Sequence, residues 1–259
     1  MPDRIRLDGR VAVVTGAAGV IGTAAMRLLA ERGARILAVD RNETQLKTAT
    51  RDLPASAQAL AITADVTDED EVAGYVRAAV DKFGTIDAFY NNAGIEGDIA
   101  PITKYSLETF RRVIDVNVVG VFLGMKHVLP VMLRRNKGSI INTASIAGLI
   151  GSPDVAVYSA SKHAVIGLTK SAALECAATG VRVNCVSPGL IDSRMLSAII
   201  EGRNPGNAPV PNDRIVERIP ARRLGHASEV ASIVAFLASD EASYVSGSAY
   251  TVDGGRVAS

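Results

Sequence analysis

Short apolar runs rich in β-branched residues recur along the chain, each followed by a longer stretch with helical spacing. Residues 10–15 (RVAVVT) read as a buried strand, and residues 20–31 follow with the period of an amphipathic helix. Further strands are expected at 35–39, 59–63, 86–90, 139–143 and 181–186, with a short seventh at 249–252. Thr67 is the expected cap of an acidic helix start at 68–71, where carboxylates suit the positive end of a helix. Near-continuous apolar strands separated by helices predict a parallel sheet covered on both faces. Right-handed crossovers then give an α/β doubly wound sheet of about seven strands, with ligands at the carboxyl ends of the strands.

One stretch breaks this rhythm. Residues 202–213 (GRNPGNAPVPND) hold three prolines and two glycines between helical segments, which predicts neither a regular helix nor a strand. The stretch is either a structureless surface insertion or part of a lid. Its place after the sixth strand, on the ligand side, favours a lid spanning about 190–216. With 259 residues, no repeat, no low-complexity tract and no linker, the chain reads as one domain over 1–259.

Charge and cysteine usage narrow the function classes. There are 28 basic and 27 acidic residues, so neither nucleic acid nor an anionic membrane surface is an expected partner. The start of the chain lacks an apolar signal core, and no apolar run is read as a membrane span. Cys176 and Cys185 sit in no metal or redox pattern and read as small core residues, which suits a reducing, cytoplasmic setting. His127, His163 and His226 are scattered, so no metal site is expected.

The candidate chemistry lies where strands end. Thr15-Gly16-Ala17-Ala18-Gly19-Val20-Ile21-Gly22 separates the first strand from its helix. Glycines there let a backbone approach a pyrophosphate at a helix N-terminus, although a tight turn without a ligand would look similar. Asp40 ends the second strand, 18 residues after Gly22. A carboxylate there can accept hydrogen bonds from the adenosine ribose and repel the 2′-phosphate of NADP, or merely cap a turn. Arg41 beside it can pair with a phosphate or stack on adenine. NAD is therefore the expected cofactor. Tyr158 and Lys162 stand four residues apart, on one face of a helix. A cation one turn away would lower the phenol from its reference value of about 10. Ser145 follows the fifth strand, where its hydroxyl can hold a substrate oxygen, and Asn91-Asn92-Ala93-Gly94 follows the fourth.

In these motifs the sequence resembles the short-chain dehydrogenase/reductase family over essentially its whole length. The resemblance implies a Rossmann-type fold, oxidoreductase chemistry and a homotetramer. It implies a catalytic tetrad of Asn117, Ser145, Tyr158 and Lys162, with Tyr158 as acid or base and Lys162 holding the nicotinamide ribose. Asn117 would bend its helix and hold a water. Asp65 and Val66 match the pair that holds adenine, and Asn92, Ala93 and Gly94 wall the nucleotide. Pro188 and Gly189, with Ile191, Ser193 and Met195 after them, match the stretch that contacts nicotinamide. Two departures stand out. Val20 occupies the family's usual second-glycine position, which puts the turn geometry around Gly19 in question, and Ser193 replaces a threonine.

Candidate pocket residues beside the tetrad are mostly apolar: Ala147, Val155, Leu190, Met195, Leu196 and Ile199, with Ile95, Glu96, Ile146 and Ile150 nearby. No arginine cluster is evident for a carboxylate or phosphate, which favours a neutral, fairly hydrophobic secondary alcohol or ketone, with cyclic ones among the candidates. The segment 91–97 resembles cyclic ketone reductases of the levodione type. Two alternatives stay open: a 3-oxoacyl-thioester reductase using NADPH, and a non-catalytic nucleotide-binding scaffold.

Overall fold

The computed structural model describes residues 5–206 and 212–258. Among these, seven strands form one parallel sheet in the order β3-β2-β1-β4-β5-β6-β7. The strands are β1 (Val11–Thr15), β2 (Arg35–Asp40), β3 (Ala59–Thr63), β4 (Ala88–Asn91), β5 (Gly138–Thr143), β6 (Val181–Pro188) and β7 (Ala249–Val252). The fold is thus the Rossmann-type doubly wound sheet that the alternation predicts, with boundaries within two residues. Strand order reverses between β1, whose Val14 is in register with Tyr90, and β4. That reversal opens a crevice at the carboxyl edge.

The helices are α1 (Val20–Glu31), α2 (Glu43–Arg51), α3 (Glu69–Phe83), α4 (Leu107–Ile114), α5 (Gly120–Arg134), α6 (Ala156–Glu175), α7 (Arg194–Arg203), α8 (Asn212–Val216) and α9 (Ala227–Ala238). Inner strands are apolar on both sides because both sides are covered. Val11, Val13, Leu37 and Ile140 pack against Val72 and Tyr75 of α3, Val121 and Val128 of α5 and Val165 of α6. Ala12, Val14, Ile36 and Ile141 pack against Met26 and Leu29 of α1, Leu46 of α2 and Val230 and Val234 of α9. Cys176 and Cys185 are free and buried in the first of these cores, as their small-core reading expects. The edge strands β3 and β7 are only partly covered.

Three local readings are corrected. The side chain that caps α3 is that of Asp68, which accepts from the Asp70 and Glu71 N–H groups; Thr67 instead donates to Asp65 Oδ1. Helix α7 runs through Gly202 to Arg203, and α8 begins at Asn212. Gly202 is helical there because its missing Cβ lets α7 lie against Ile99. Of the irregular stretch 202–213, residues 207–211 lie outside the described residues. Finally, Leu107–Arg134 is one continuous helical stretch that by length and composition alone could cross a membrane. Half of its most apolar window is buried in the fold.

If Asp68 is the cap, Asp68→Ala should lower stability in urea unfolding by about 1 kcal/mol. Thr67→Val, which leaves both capped N–H groups paired, should cost less.

Candidate active site

The loops leaving β1, β4, β5 and β6 share the carboxyl edge of the sheet and carry most of the residues that the sequence singles out. Gly16 takes φ +61°, and a Cβ there would press on the Ala93 backbone at 2.9 Å. A Cβ on Gly22 would collide with the Gly16 carbonyl. Gly19 is extended (φ −73°, ψ 160°) and Val20 simply begins α1, half-exposed, with Ile21 behind it. The left-handed position is therefore Gly16, and Val20 faces no conformational conflict. No side chain caps α1. An uncapped helix N-terminus fronted by a glycine cradle fits a pyrophosphate.

Asp40 caps its turn, one of the two roles foreseen for it. Its Oδ2 accepts from the Ala18 N–H (3.0 Å) and its Oδ1 from the Asn42 N–H (2.9 Å), so it does fix the turns. An ionised carboxylate has about four acceptor sites, which leaves capacity for a ribose. Beyond it, Arg41, Asp65, Thr67, Arg111, Arg112 and Val116 help to line a cleft of about 480 Å³. Asp65 fixes its own turn by accepting from Thr67, whereas Val66 is buried against Gly120.

Asn92 ties three strand ends together. Its amide donates to the carbonyls of Thr15 and Gly16 (both 3.2 Å), and its Oδ1 accepts from Thr143 Oγ1 (3.1 Å). The N–H groups of Asn92 and Ala93 both donate to Thr15 Oγ1. Thr15 and Thr143 were not singled out, although a hydroxyl ending an apolar run at a ligand edge was a readable signal.

Asn117 sits in a π-helical turn, Asp115–Val119, between α4 and α5, so the helix does change its winding there. The side chain is fully buried and clamps Ile95 from both sides, accepting from its N–H (2.8 Å) and donating to its carbonyl (2.9 Å). It also donates to Ser161 Oγ (3.0 Å), which donates to the Tyr158 carbonyl (2.7 Å). The clamp holds the loop after β4 against α6. At Gly94 a Cβ would lie 3.3 Å from both Asn117 Oδ1 and Lys162 Nζ, so only glycine leaves that gap open.

Lys162 is buried and donates to the Thr143 carbonyl at 2.8 Å. Burial lowers its pKa to about 8. Its Nζ lies 5.6 Å from the centre of the Tyr158 ring. Although that ring keeps partial exposure to the cleft, the protein packed around it pushes the phenol up to about 12. A hydrogen bond with the buried Ser145 opposes the rise, and the charge of Glu96 adds to it. Desolvation therefore dominates at the phenol, and the expected lowering needs the charge of a nicotinamide ring as well as that of Lys162.

Ala147, Val155 and Leu196 are buried, and Leu190, Met195 and Ile199 are partly open. Pro188 ends β6 in register with Val252, and Gly189 lies against Asp253, where a Cβ would not fit. Ile191 is buried, its side chain against Gly225. Ser193 caps α7, accepting from the Leu196 N–H and donating to the Ile191 carbonyl. Arg194 and Arg203, missed in the sequence, anchor α7: Arg194 pairs with Glu96, and Arg203 donates to Ser152 and Pro153. The histidines have local partners: His127 pairs with Glu69, His163 with the Ser159 carbonyl, and His226 forms a capping box with Glu229.

A family model described as enoyl-(acyl carrier protein) reductase matches residues 16–256. A levodione reductase of Leifsonia aquatica is 38% identical over 98% of this chain and 96% of its own length. A cyclohexanol dehydrogenase of Acinetobacter sp. (strain SE19) is 40% identical over 96% of this chain and 95% of its own. A 3-oxoacyl-(acyl-carrier-protein) reductase of Thermotoga maritima is 39% identical over 98% of this chain and 100% of its own. The crystal structure of levodione reductase superposes with a TM-score of 0.95 at 37% identity, covering 98% of this chain and 100% of that one.

The lysine's burial makes a testable demand on stability. Its folded pKa, near 8, lies below its ordinary value of 10.5, so between those limits the unfolded chain binds more protons. Unfolding free energy of the native protein, measured against Lys162→Met, should therefore rise across about pH 8–10.5, by about 1–3 kcal/mol. A flat difference across that window would mean that the amine is not desolvated.

Proposed function

The chain belongs to the short-chain dehydrogenase/reductase family, and we propose that it interconverts a neutral, fairly hydrophobic secondary alcohol and its ketone with NAD(H), cyclic substrates being the first candidates. The observation that carries this reading is the phenol of Tyr158, hydrogen-bonded to Ser145 with the Lys162 amine 5.6 Å from its ring centre; the candidate pocket residues beside it are mostly apolar. Arg194 is paired with Glu96, so that guanidinium is not free for an anionic substrate. The names of two relatives, levodione reductase and cyclohexanol dehydrogenase, point to ring-shaped substrates.

The nicotinamide, when bound, supplies the hydride acceptor or donor. The chain's own residues do the rest. Ser145 donates to the substrate oxygen and orients it. Tyr158 takes the hydroxyl proton in oxidation and returns it in reduction. Lys162 holds the nicotinamide ribose, and with the charge of the oxidised ring favours the phenolate that burial opposes. Asn117 keeps the loop after β4 in place and, through Ser161, supports the turn that carries Tyr158. Gly16, Gly19, Val20 and Ile21 receive the pyrophosphate, Asp40 and Arg41 the adenosine ribose, Asp65 and Val66 the adenine. Ala93 and Gly94 would wall the nucleotide.

A second reading, a 3-oxoacyl-thioester reductase using NADPH, is favoured by the Thermotoga relative and the family description. Asp40 opposes it, because its carboxylate would repel a 2′-phosphate. Retention of both Tyr158 and Lys162 opposes a non-catalytic scaffold. We also propose a homotetramer. Phe110, Val119, Phe122 and Leu133 stand exposed along α4–α5, and the β7 edge is open; symmetric association would cover both.

Tyr158→Phe should keep NAD affinity near native while kcat falls by about 10²–10⁴-fold. Lys162→Met should fall comparably and also bind NAD more weakly. The double variant should be far less than multiplicative, since both act through one proton transfer. Asp40→Ser should weaken NAD and improve NADP in kcat/KM; native preference for NADPH would defeat the assignment of Asp40. Light scattering should show a tetramer at micromolar concentration, and a stable monomer would defeat that proposal.

A further inference from the structure

Three segments converge beyond the catalytic pair, and each is joined to the other two. The loop after β4 meets α7 twice. Glu96 pairs with Arg194 at the start of the helix (Nη1–Oε1 2.7 Å), and Ile99 lies against Gly202 near its end, where a Cβ would fall 2.5 Å from the Ile99 Cβ. Arg203, the last residue of α7, donates to Ser152 Oγ (2.8 Å) and the Pro153 carbonyl (2.7 Å) on the loop before α6. That loop completes the ring of contacts, because the Asp154 carbonyl accepts from the Ala100 N–H (2.9 Å). Residues 99–100, 152–154 and 202–203 thus meet at one junction. Arg203 is itself exposed, so it straps the junction from outside.

The backbone at this junction is fixed. Asp154 takes φ +61°, a left-handed conformation that aspartate tolerates better than most residues, and its carbonyl receives Ala100 from there. On the facing loop Asn117 clamps Ile95, Tyr105 Oη accepts from the Asp98 N–H (3.1 Å), and Asp154 holds Ala100. Tethers at residues 95, 98 and 100 leave that wall little freedom. The junction also lies at a bounded distance from the chemistry. A Cβ on Gly94, where the first loop begins, would lie 3.3 Å from Lys162 Nζ, and Asp154 precedes Tyr158 by four residues. Four residues of chain span at most about 14 Å, and the side chains at both ends use part of that length. Between its two arginines α7 carries Met195, Leu196 and Ile199, of which Leu196 is buried and the others are partly open.

We propose that this junction is the end stop of the substrate chamber and that Arg203 is a specificity-determining residue. A single ring bearing the carbinol carbon is accommodated, and a chain extending from the far side of that ring meets the wall. Arg203 acts at a distance from the reacting atoms, by holding the loop before α6 against the end of α7. The inference rests on the alcohol–ketone reading of the Tyr158 site and adds to it an upper limit of size.

The test compares kcat/KM for oxidation of cyclohexanol and of 4-butylcyclohexanol with NAD. In an open apolar cleft the added methylenes would improve binding, so a fall with chain length is the mark of a stop. The native enzyme should favour cyclohexanol by about tenfold or more. Arg203→Ala removes the strap and Ile99→Ala opens space at the same junction. Each should shrink that preference about fivefold or more, chiefly through a lower KM for the longer alcohol. Arg203→Lys keeps a donor and should return the ratio toward native. Arg194→Gln releases the other end of α7 and should leave the ratio near native. Equal or better use of 4-butylcyclohexanol by the native enzyme would overturn the stop and leave the site reading standing. So would an unchanged ratio in both Arg203→Ala and Ile99→Ala, or a shift in Arg194→Gln as large as theirs. A native enzyme that oxidises neither alcohol would overturn the ring-alcohol reading and this inference together.

Discussion

A line of hydrogen bonds across the carboxyl edge of the sheet holds the site together. Thr15 receives the Asn92 and Ala93 N–H groups, Asn92 accepts from Thr143, and the Thr143 carbonyl receives Lys162. The line joins the end of β1, where the nucleotide turn starts, to the lysine beside Tyr158. It exists because β1, β4 and β5 lie side by side and in parallel, so their last polar residues meet at one level. Thr15, Thr143 and Lys162 are buried and Asn92 is partly so, and an unmet buried partner there would cost about 1–3 kcal/mol. The spacing between the nucleotide turn and the acid–base pair is thus set by the sheet and not by flexible loops.

Burial at that edge works against charge. It raises the phenol of Tyr158 and lowers the amine of Lys162, so each group is pushed toward its neutral form. The positive ring of an oxidised nicotinamide would favour the phenolate. Asp40 shows the same economy at the other end of the crevice, since one carboxylate fixes two backbone turns and still has capacity for a ribose.

Much of this was legible in the sequence. Inner strands announce themselves because both faces are apolar, and right-handed crossovers make the sheet doubly wound. The residues on the ligand edge follow from where strands end. Other features lay beyond reach for identifiable reasons. Thr67 and Asp68 are both acceptable caps, and local chemistry does not choose between neighbours. Gly202 looks like a helix breaker until Ile99, about a hundred residues away, is placed beside it. Arg194 and Glu96 stand 98 residues apart, with no pattern to join them. Desolvation of the Tyr158 phenol is not visible in sequence, whereas a cation at i+4 is.

The central claim is that the phenol of Tyr158 stays protonated in the enclosed site until the oxidised cofactor brings its charge. Tyrosinate absorbance near 295 nm, taken as the difference between native enzyme and Tyr158→Phe, reads that phenol alone. Without cofactor the difference signal should stay absent up to about pH 10, the free phenol value. With saturating NAD⁺ it should appear with a midpoint well below that. A phenolate signal of the same midpoint with and without NAD⁺ would contradict the account.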